Sequence, residues 1–220
     1  MSTLVYLGCH EGYSLKRLLN NHKFDKILLV EADPDTFKRL LTYTKDKPNI
    51  IAINKCVVSD KNIKNVKFYR TVNDGASNSV LEPKVGDTFI KDILEVESVY
   101  LPDLLKEYKI DEIDFYISDL QGNDFMVLMT INEMIKNKKI KELFLETFDE
   151  TYNFYEKNNN KIHNYYSVLK ENYKVDYMSA DSTVFSTLDQ IIKFCMNDGP
   201  GELDVHWSLR DQANIKYFLT

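Results

Sequence analysis

The chain has 220 residues, 44% of them hydrophobic, enough for a sizeable core in one domain. Its formal charge of -6 and pI near 5.3 argue against a general nucleic-acid binder, which needs a concentrated basic face, so no nucleic-acid partner is expected. Cys9, Cys56 and Cys195 are far apart and match neither a disulfide framework nor a zinc spacing, and no apolar run approaches the roughly 18 residues of a membrane span. A cytoplasmic protein without a membrane partner or a bound metal is expected.

The chain opens with an apolar strand, Thr3 to Leu7, turns at Gly8, and enters a helix after Gly12 with apolar positions at Leu15, Leu18 and Leu19. Lys26 to Val30 is a continuous apolar run, as a strand covered on both faces should be, and ends in Glu31. Asp33-Pro34 suits the start of a second helix, since the missing N–H of Pro34 would have been unpaired there. Ile50 to Ile53 is a short strand leading to Cys56-Val57-Val58-Ser59-Asp60. Val66 to Arg70 alternates like a strand of an antiparallel excursion, and 73–93, rich in Gly, Ser, Asn and Pro, is expected to be a loop. A short helix from Leu101 precedes the strand Ile113 to Ile117. One helix carrying Phe125, Leu128, Met129 and Ile131 follows, and then the strand Leu143 to Leu145, ending at Glu146. A helix through Ile162 and Leu169 separates two β-like runs, Tyr173 to Met178 and Thr183 to Phe185. Beyond it Leu188, Ile191, Ile192 and Cys195 have helical spacing, and Asp198 to Gly201 breaks the chain before Val205 to Leu209. Alternating strands and helices predict an α/β fold with a mainly parallel sheet. The expected organisation is one domain over 1–220, with about 186–220 a C-terminal extension whose structure the sequence leaves open.

The turn Gly8-Cys9-His10-Glu11-Gly12-Tyr13 follows a strand and opens a helix, which lets backbone N–H groups approach a polar ligand. Its spacing is G-x-x-x-G. The G-x-G-x-x-G of dinucleotide folds has a middle glycine that brings a pyrophosphate against the helix, and nothing replaces it here. A nucleoside cofactor without a pyrophosphate, S-adenosylmethionine, fits better than NAD. An acid ending the second strand can accept both hydroxyls of a ribose, so Glu31, with Ala32 beside it, completes the expected site. The alternatives are a tight turn with no ligand and a solvated loop acid. His10 either touches cofactor or acceptor or faces solvent.

The order of these pieces resembles the FkbM family of methyltransferases. The matching segments are Val5 to Gly12, Val30-Glu31-Ala32-Asp33-Pro34 with Phe37 and Leu40, Cys56 to Asp60, and Val99 to Leu105 through Ile113 to Leu128. Asp119, Gly122 and Asp124 fall on the family's pattern, whereas Tyr6 and Gln121 stand where it has acids. The resemblance implies a single Rossmann-like domain with a seven-stranded sheet, its last strand antiparallel, helices on both faces, and methylation of a hydroxyl on a sugar, glycan precursor or other small metabolite. It also implies that Cys56 and Val57 pack against the adenine, with Ser59 or Asp60 near its amine, that Gly8, Cys9, His10, Gly12, Tyr13, Asp119 and Gln121 join the cofactor site, and that Ser77 and Ser79 border the acceptor pocket.

Methyl transfer to a hydroxyl needs an aligned acceptor and a group that takes its proton. Asp119, at the carboxyl end of a central strand, is the candidate, and Glu146 on the next strand is expected to join it. The alternatives are a helix cap at Asp119, a solvent-facing Glu146, and a divalent ion held by Asp119, Asp124 and Glu146. Two other readings stay open: a catalytically silent cofactor-binding or assembly module, and an NAD-dependent oxidoreductase, which lacks the usual Tyr-x-x-x-Lys. The oligomeric state is not legible.

Overall fold

A computed structural model describes residues 1–84, 89–148, 154–178, 187, 189, 190, 193 and 202–211, with backbone only at 177, 178 and 202. In chain order the elements are β1 (Thr3–Leu7), α1 (Tyr13–Asn21), β2 (Lys26–Glu31), α2 (Pro34–Thr44), β3 (Ile50–Asn54), β4 (Cys56–Val58), β5 (Asn65–Thr71), β6 (Ile90–Tyr100), α3 (Leu101–Glu107), β7 (Ile113–Ser118), α4 (Asp124–Met129), α5 (Asn132–Lys136), β8 (Ile140–Phe148), α6 (Ile162–Leu169), β9 (Tyr173–Met178) and β10 (Glu202–Leu209).

Seven strands form one sheet in the order β3-β2-β1-β7-β8-β10-β9, parallel except for β10, which runs antiparallel to both neighbours. This is the expected sheet, with its last strand reversed. Side chains alternate across it. Leu4 and Tyr6 of β1 share a core with Leu15 and Leu18 of α1 and Leu40 of α2, while Val5 and Leu7 share the opposite core with Leu104 of α3, Leu128 of α4 and Leu169 of α6. Helices therefore cover both faces, and β1 is buried along its whole length.

The order reverses direction between β1 and β7, because the chain goes from β1 outward to β2 and β3 and later returns on the other side. In such sheets ligands bind at the carboxyl ends of the strands beside this switch point. Leu7 pairs with Val30 on one side and Ser118 on the other, so the residues following β1 and β7 and the end of β2 meet at one edge.

A second, three-stranded sheet joins β4 in parallel and β5 in antiparallel fashion to β6, with Cys56, Val58, Phe68 and Val96 in its core. The antiparallel excursion at Val66–Arg70 is therefore present. The expected loop 73–93 is shorter than its composition suggests, because β6 begins at Ile90.

The helix expected to carry Phe125 to Ile131 ends at Met129, and a second helix starts at Asn132. Thr130 and Ile131 donate to the carbonyls three residues back, and the Thr130 hydroxyl donates to the Val127 carbonyl at 2.6 Å, which tightens and ends α4. At the far end Val205–Leu209 belongs to β10, inserted between β8 and β9, with Asp204 opposite Glu146. The run Thr183–Phe185 and the helically spaced Leu188, Ile191, Ile192 and Cys195 lie outside the described residues.

Candidate functional site

Three chain segments converge at the switch point. Gly8 follows β1 with φ +69°, and its N–H donates to the Val30 carbonyl at 2.9 Å. A Cβ there would lie 1.9 Å from the Asp119 carbonyl oxygen, so only glycine lets the turn after β1 pass the turn after β7. Gly12, at φ +82°, caps α1, and a Cβ on it would meet Leu40 Cδ1 at 3.0 Å. Its place is the packing of α1 against α2.

Over this edge lies a cavity of about 290 Å³, at the lower end of small-molecule sites, which run to about 300–1,000 Å³. Gly8, Cys9, His10, Tyr13, Glu31, Ala32, Cys56, Val57, Asp119 and Gln121 all line it. Gly12 and Glu146 do not line it. Nor do Ser59 and Asp60; the Asp60 carboxylate instead accepts from the backbone and side chain of Asn62 in an exposed turn.

Glu31 is 7% exposed. Its Oε2 accepts the His10 backbone N–H at 2.8 Å and its Oε1 accepts that of Asp33 at 2.8 Å, which ties the glycine turn to the start of α2. Burial raises its proton affinity, and the two N–H bonds draw it back down. Asp33 caps α2 by accepting from Asp35 and Thr36, and its other oxygen accepts from Asn78.

The Cys9 and Cys56 thiols and the Tyr6 phenol are neutral. Burial, reinforced by the charge on Glu31, raises the Cys9 thiol well above its ordinary value and pushes Cys56 up to about 12. Burial and then Asp119 raise the Tyr6 phenol, which hydrogen-bonds Ser14. Tyr6 thus brings an uncharged hydroxyl to a position where an acid was expected.

The turn after β7 has a different support. Asp119 Oδ1 accepts from Gln121 Nε2 at 2.7 Å, and Gln121 Oε1 accepts from the Tyr155 hydroxyl at 2.6 Å. Asp124 is fully buried. It accepts from Ser118 Oγ and, at 2.8 Å, from the Leu120 N–H, and burial raises its proton affinity. Glu146, 1% exposed, accepts the Gly122 N–H at 2.9 Å. The Asn160 amide bridges these acids, donating to Asp124 at 2.6 Å and to Glu146 at 3.0 Å. The expectation that Glu146 joins Asp119 at the acceptor therefore needs correction: its side chain points beneath the turn and holds it from below. Asp124 does the same work, where the sequence left a helix-end role or a shared ion open. No cluster of three or more metal-ligating side chains occurs among the described residues.

Sequence reasoning missed the wall supplied by the second sheet and the loop beyond it. Lys55, Phe68, Gly75, Ala76, Asn78 and Val80 line the cavity. The loop is fastened there by His10 Nε2 against the Asp74 carbonyl at 3.1 Å and by Ser79 Oγ donating to the Gln121 carbonyl at 2.7 Å. Ser77 and Ser79 belong to this wall through their backbone and bonding; neither lines the cavity.

The Methyltransferase FkbM domain matches residues 10–177. No curated protein matches the sequence. Among solved structures, the FkbM methyltransferase of Methylobacillus flagellatus KT is similar with a TM-score of 0.51 at 13% identity, covering 94% of this chain and 43% of that one. The chain thus spans less than half the length of that relative. Aeropyrum pernix fibrillarin, solved with natively bound S-adenosyl-L-methionine, has a TM-score of 0.46 at 11% identity over 94% of this chain and 66% of its own. M. capricolum TrmK, in complex with S-adenosyl-homocysteine, has 0.45 at 12% identity over 96% and 63%. With the domain matched over most of its length and the sheet order in place, the chain belongs to the FkbM family of S-adenosylmethionine-dependent methyltransferases.

Proposed function

We propose that this chain transfers a methyl group from S-adenosylmethionine to a hydroxyl of a sugar, a glycan precursor or another small metabolite. The observation that carries the reading is one cavity with a bare backbone at Gly8, a buried carboxylate at Glu31 and a second carboxylate at Asp119. The backbone wall suits a ligand that must come close. The Glu31 carboxylate has about four acceptor sites, and backbone N–H groups take two, which leaves capacity for a ribose diol. Ala32, Cys56, Val57 and Phe68 offer apolar surface for a base.

When bound, the cofactor supplies an electrophilic methyl group on a sulfonium. The chain's own residues hold and orient the reactants. The Gly8–Tyr13 turn and Glu31 would hold the cofactor, and Asp119 would align the acceptor hydroxyl and take its proton as the oxygen attacks. Cys9 and Cys56 stay protonated, so they serve as packing groups rather than nucleophiles. Both are buried free thiols, which suits a reducing cytoplasm. No helix among the described residues is long and apolar enough to cross a membrane.

The test is transfer of labelled methyl from the cofactor to a panel of hydroxylated sugars and small metabolites. With an acceptor in hand, Asp119→Asn should slow transfer by about 10²-fold or more and spare S-adenosylhomocysteine binding. Full activity in that variant rejects Asp119 as the base. The neutral Tyr6 favours one second reading, a cofactor-binding module without turnover, for which binding persists and no acceptor is methylated.

A further inference from the structure

Gln121 stands at a position where the family resemblance carries an acid, and the structure shows an arrangement that an ionised acid could not form. Its side chain is buried between two partners. Nε2 donates to Asp119 Oδ1 at 2.7 Å, and Oε1 accepts from the Tyr155 hydroxyl at 2.6 Å. The amide has a defined orientation: turned over, it would set Oε1 against the Asp119 carboxylate, two acceptors in contact. The Tyr155 hydroxyl has one proton, and the nearer oxygen is Oε1, since the Ser77 carbonyl lies at 3.2 Å. Tyr155 is itself 1% exposed and packs edge-on against Phe154, with ring centroids 4.7 Å apart.

The backbone points the same way. Gln121 has φ +52°, a left-handed conformation that side-chain-bearing residues seldom adopt and that tends to persist where the surroundings fix it. Here the Ser79 hydroxyl donates to the Gln121 carbonyl and the next N–H, that of Gly122, is held by Glu146. Three segments remote in sequence thus fix one residue.

We propose that Gln121, oriented by Tyr155, is a positioning residue that aims the Asp119 carboxylate and holds it in its ionised form; the consequence for catalysis rests on the reading of Asp119 given above. An N–H donor to a carboxylate favours the charged form. Glutamate in its place would remove the donor and set a second carboxyl beside the first, so that the two would share one proton. Among the described residues, the other titratable groups that line the cavity with Asp119 are Tyr6, Cys9, His10, Tyr13, Glu31, Lys55 and Cys56, with Asp204 of β10 beside Tyr6. Gln121 donates to Asp119 through its amide, so replacing it alters that bond while the rest of this set stays.

The test is carbon-13 NMR titration of the side-chain carboxyl of Asp119 in the full chain, its signal assigned by its loss in Asp119→Asn. In Gln121→Glu the midpoint should rise by about one pH unit or more. In Tyr155→Phe, which keeps the ring but frees the amide to turn, it should rise by less. Midpoints that coincide with the unsubstituted chain in Gln121→Glu overturn the proposal. Where Gln121→Glu fails to fold, Tyr155→Phe decides in the same sense. Titration of the unsubstituted chain with S-adenosylhomocysteine separates the two readings: a midpoint shifted in the variants with no cofactor binding by the unsubstituted chain refutes the methyltransferase reading and leaves the coupling, while binding with an unmoved midpoint refutes the coupling alone.

Discussion

The two turns that meet at the sheet edge have the same task and different construction. The turn after β1 must pass within reach of its neighbour and does so by lacking a side chain at Gly8, the first of two glycines at positive φ. The turn after β7 contains the left-handed pair Gln121-Gly122 and is held by side chains from 146, 155 and 160. The first turn depends on the missing side chain at Gly8 and on one buried acid, Glu31, and the second on a set of buried polar partners, Glu146, Tyr155 and Asn160, that arrive from later in the chain.

That contrast predicts where each turn is vulnerable. Gly8→Ala should do the most damage, because its Cβ would fall 1.9 Å from the Asp119 carbonyl oxygen and break both turns at once. A loss of about 3 kcal/mol or more is expected, a fall in Tm of roughly 6–12 °C, together with loss of cofactor binding. Gly12→Ala should cost only about 1–2 kcal/mol, since its Cβ meets the tip of a leucine side chain. Equal effects at the two glycines in thermal melts would contradict the close approach assigned to Gly8.

For the second turn the sensitive position is remote. Asn160→Ala removes the amide that bridges Asp124 and Glu146, leaving two buried carboxyl groups without a shared donor. About 2–3 kcal/mol of stability should be lost. An unchanged melt would show that the acids hold the turn without Asn160.

The same difference explains how much the sequence discloses. The strand, the glycine spacing and Glu31 lie within the first 31 residues, and strand periodicity and turn chemistry are local signals. The mainly parallel sheet and the cavity-lining Gly8 and Glu31 were legible on that basis; the reversed last strand, the helices on both faces and the places of Cys56, Val57 and Gln121 rested on the family resemblance. Glu146 was legible as an acid ending a strand, but its direction was not, because that depends on Asn160 and on the turn packed above it. Tyr155 and Asn160 carry no motif. β6 has an alternating run from Ile93 to Val99 that was available, yet the polar loop before it masked where the strand begins. β10 reaches its place between β8 and β9 only through pairing remote in sequence, with Glu146 opposite Asp204.

A smaller effect probes the cofactor side of the cavity. Glu31→Gln keeps the shape but removes the charge that strengthens bonds from ribose hydroxyls, and affinity for S-adenosylhomocysteine should fall about tenfold, near 1.4 kcal/mol. Burial raises the Glu31 carboxyl above its ordinary value. Its contribution to folding stability is therefore complete below the ordinary carboxylate range and is lost as pH rises through the raised value. Cofactor binding has the opposite sign, because ribose hydroxyls donate to the carboxylate. Affinity should weaken as pH falls through that raised value, and Glu31→Gln should flatten this slope. A parallel slope in both proteins would assign the pH dependence to another group.

The central claim, a nucleoside cofactor held without a pyrophosphate cradle, is tested most directly by calorimetric titration of the full chain with S-adenosylhomocysteine and, in parallel, with NAD. Saturable binding of S-adenosylhomocysteine at one site per chain, with NAD much weaker or silent, is the predicted result. No heat from S-adenosylhomocysteine, or comparable affinity for NAD, would contradict it.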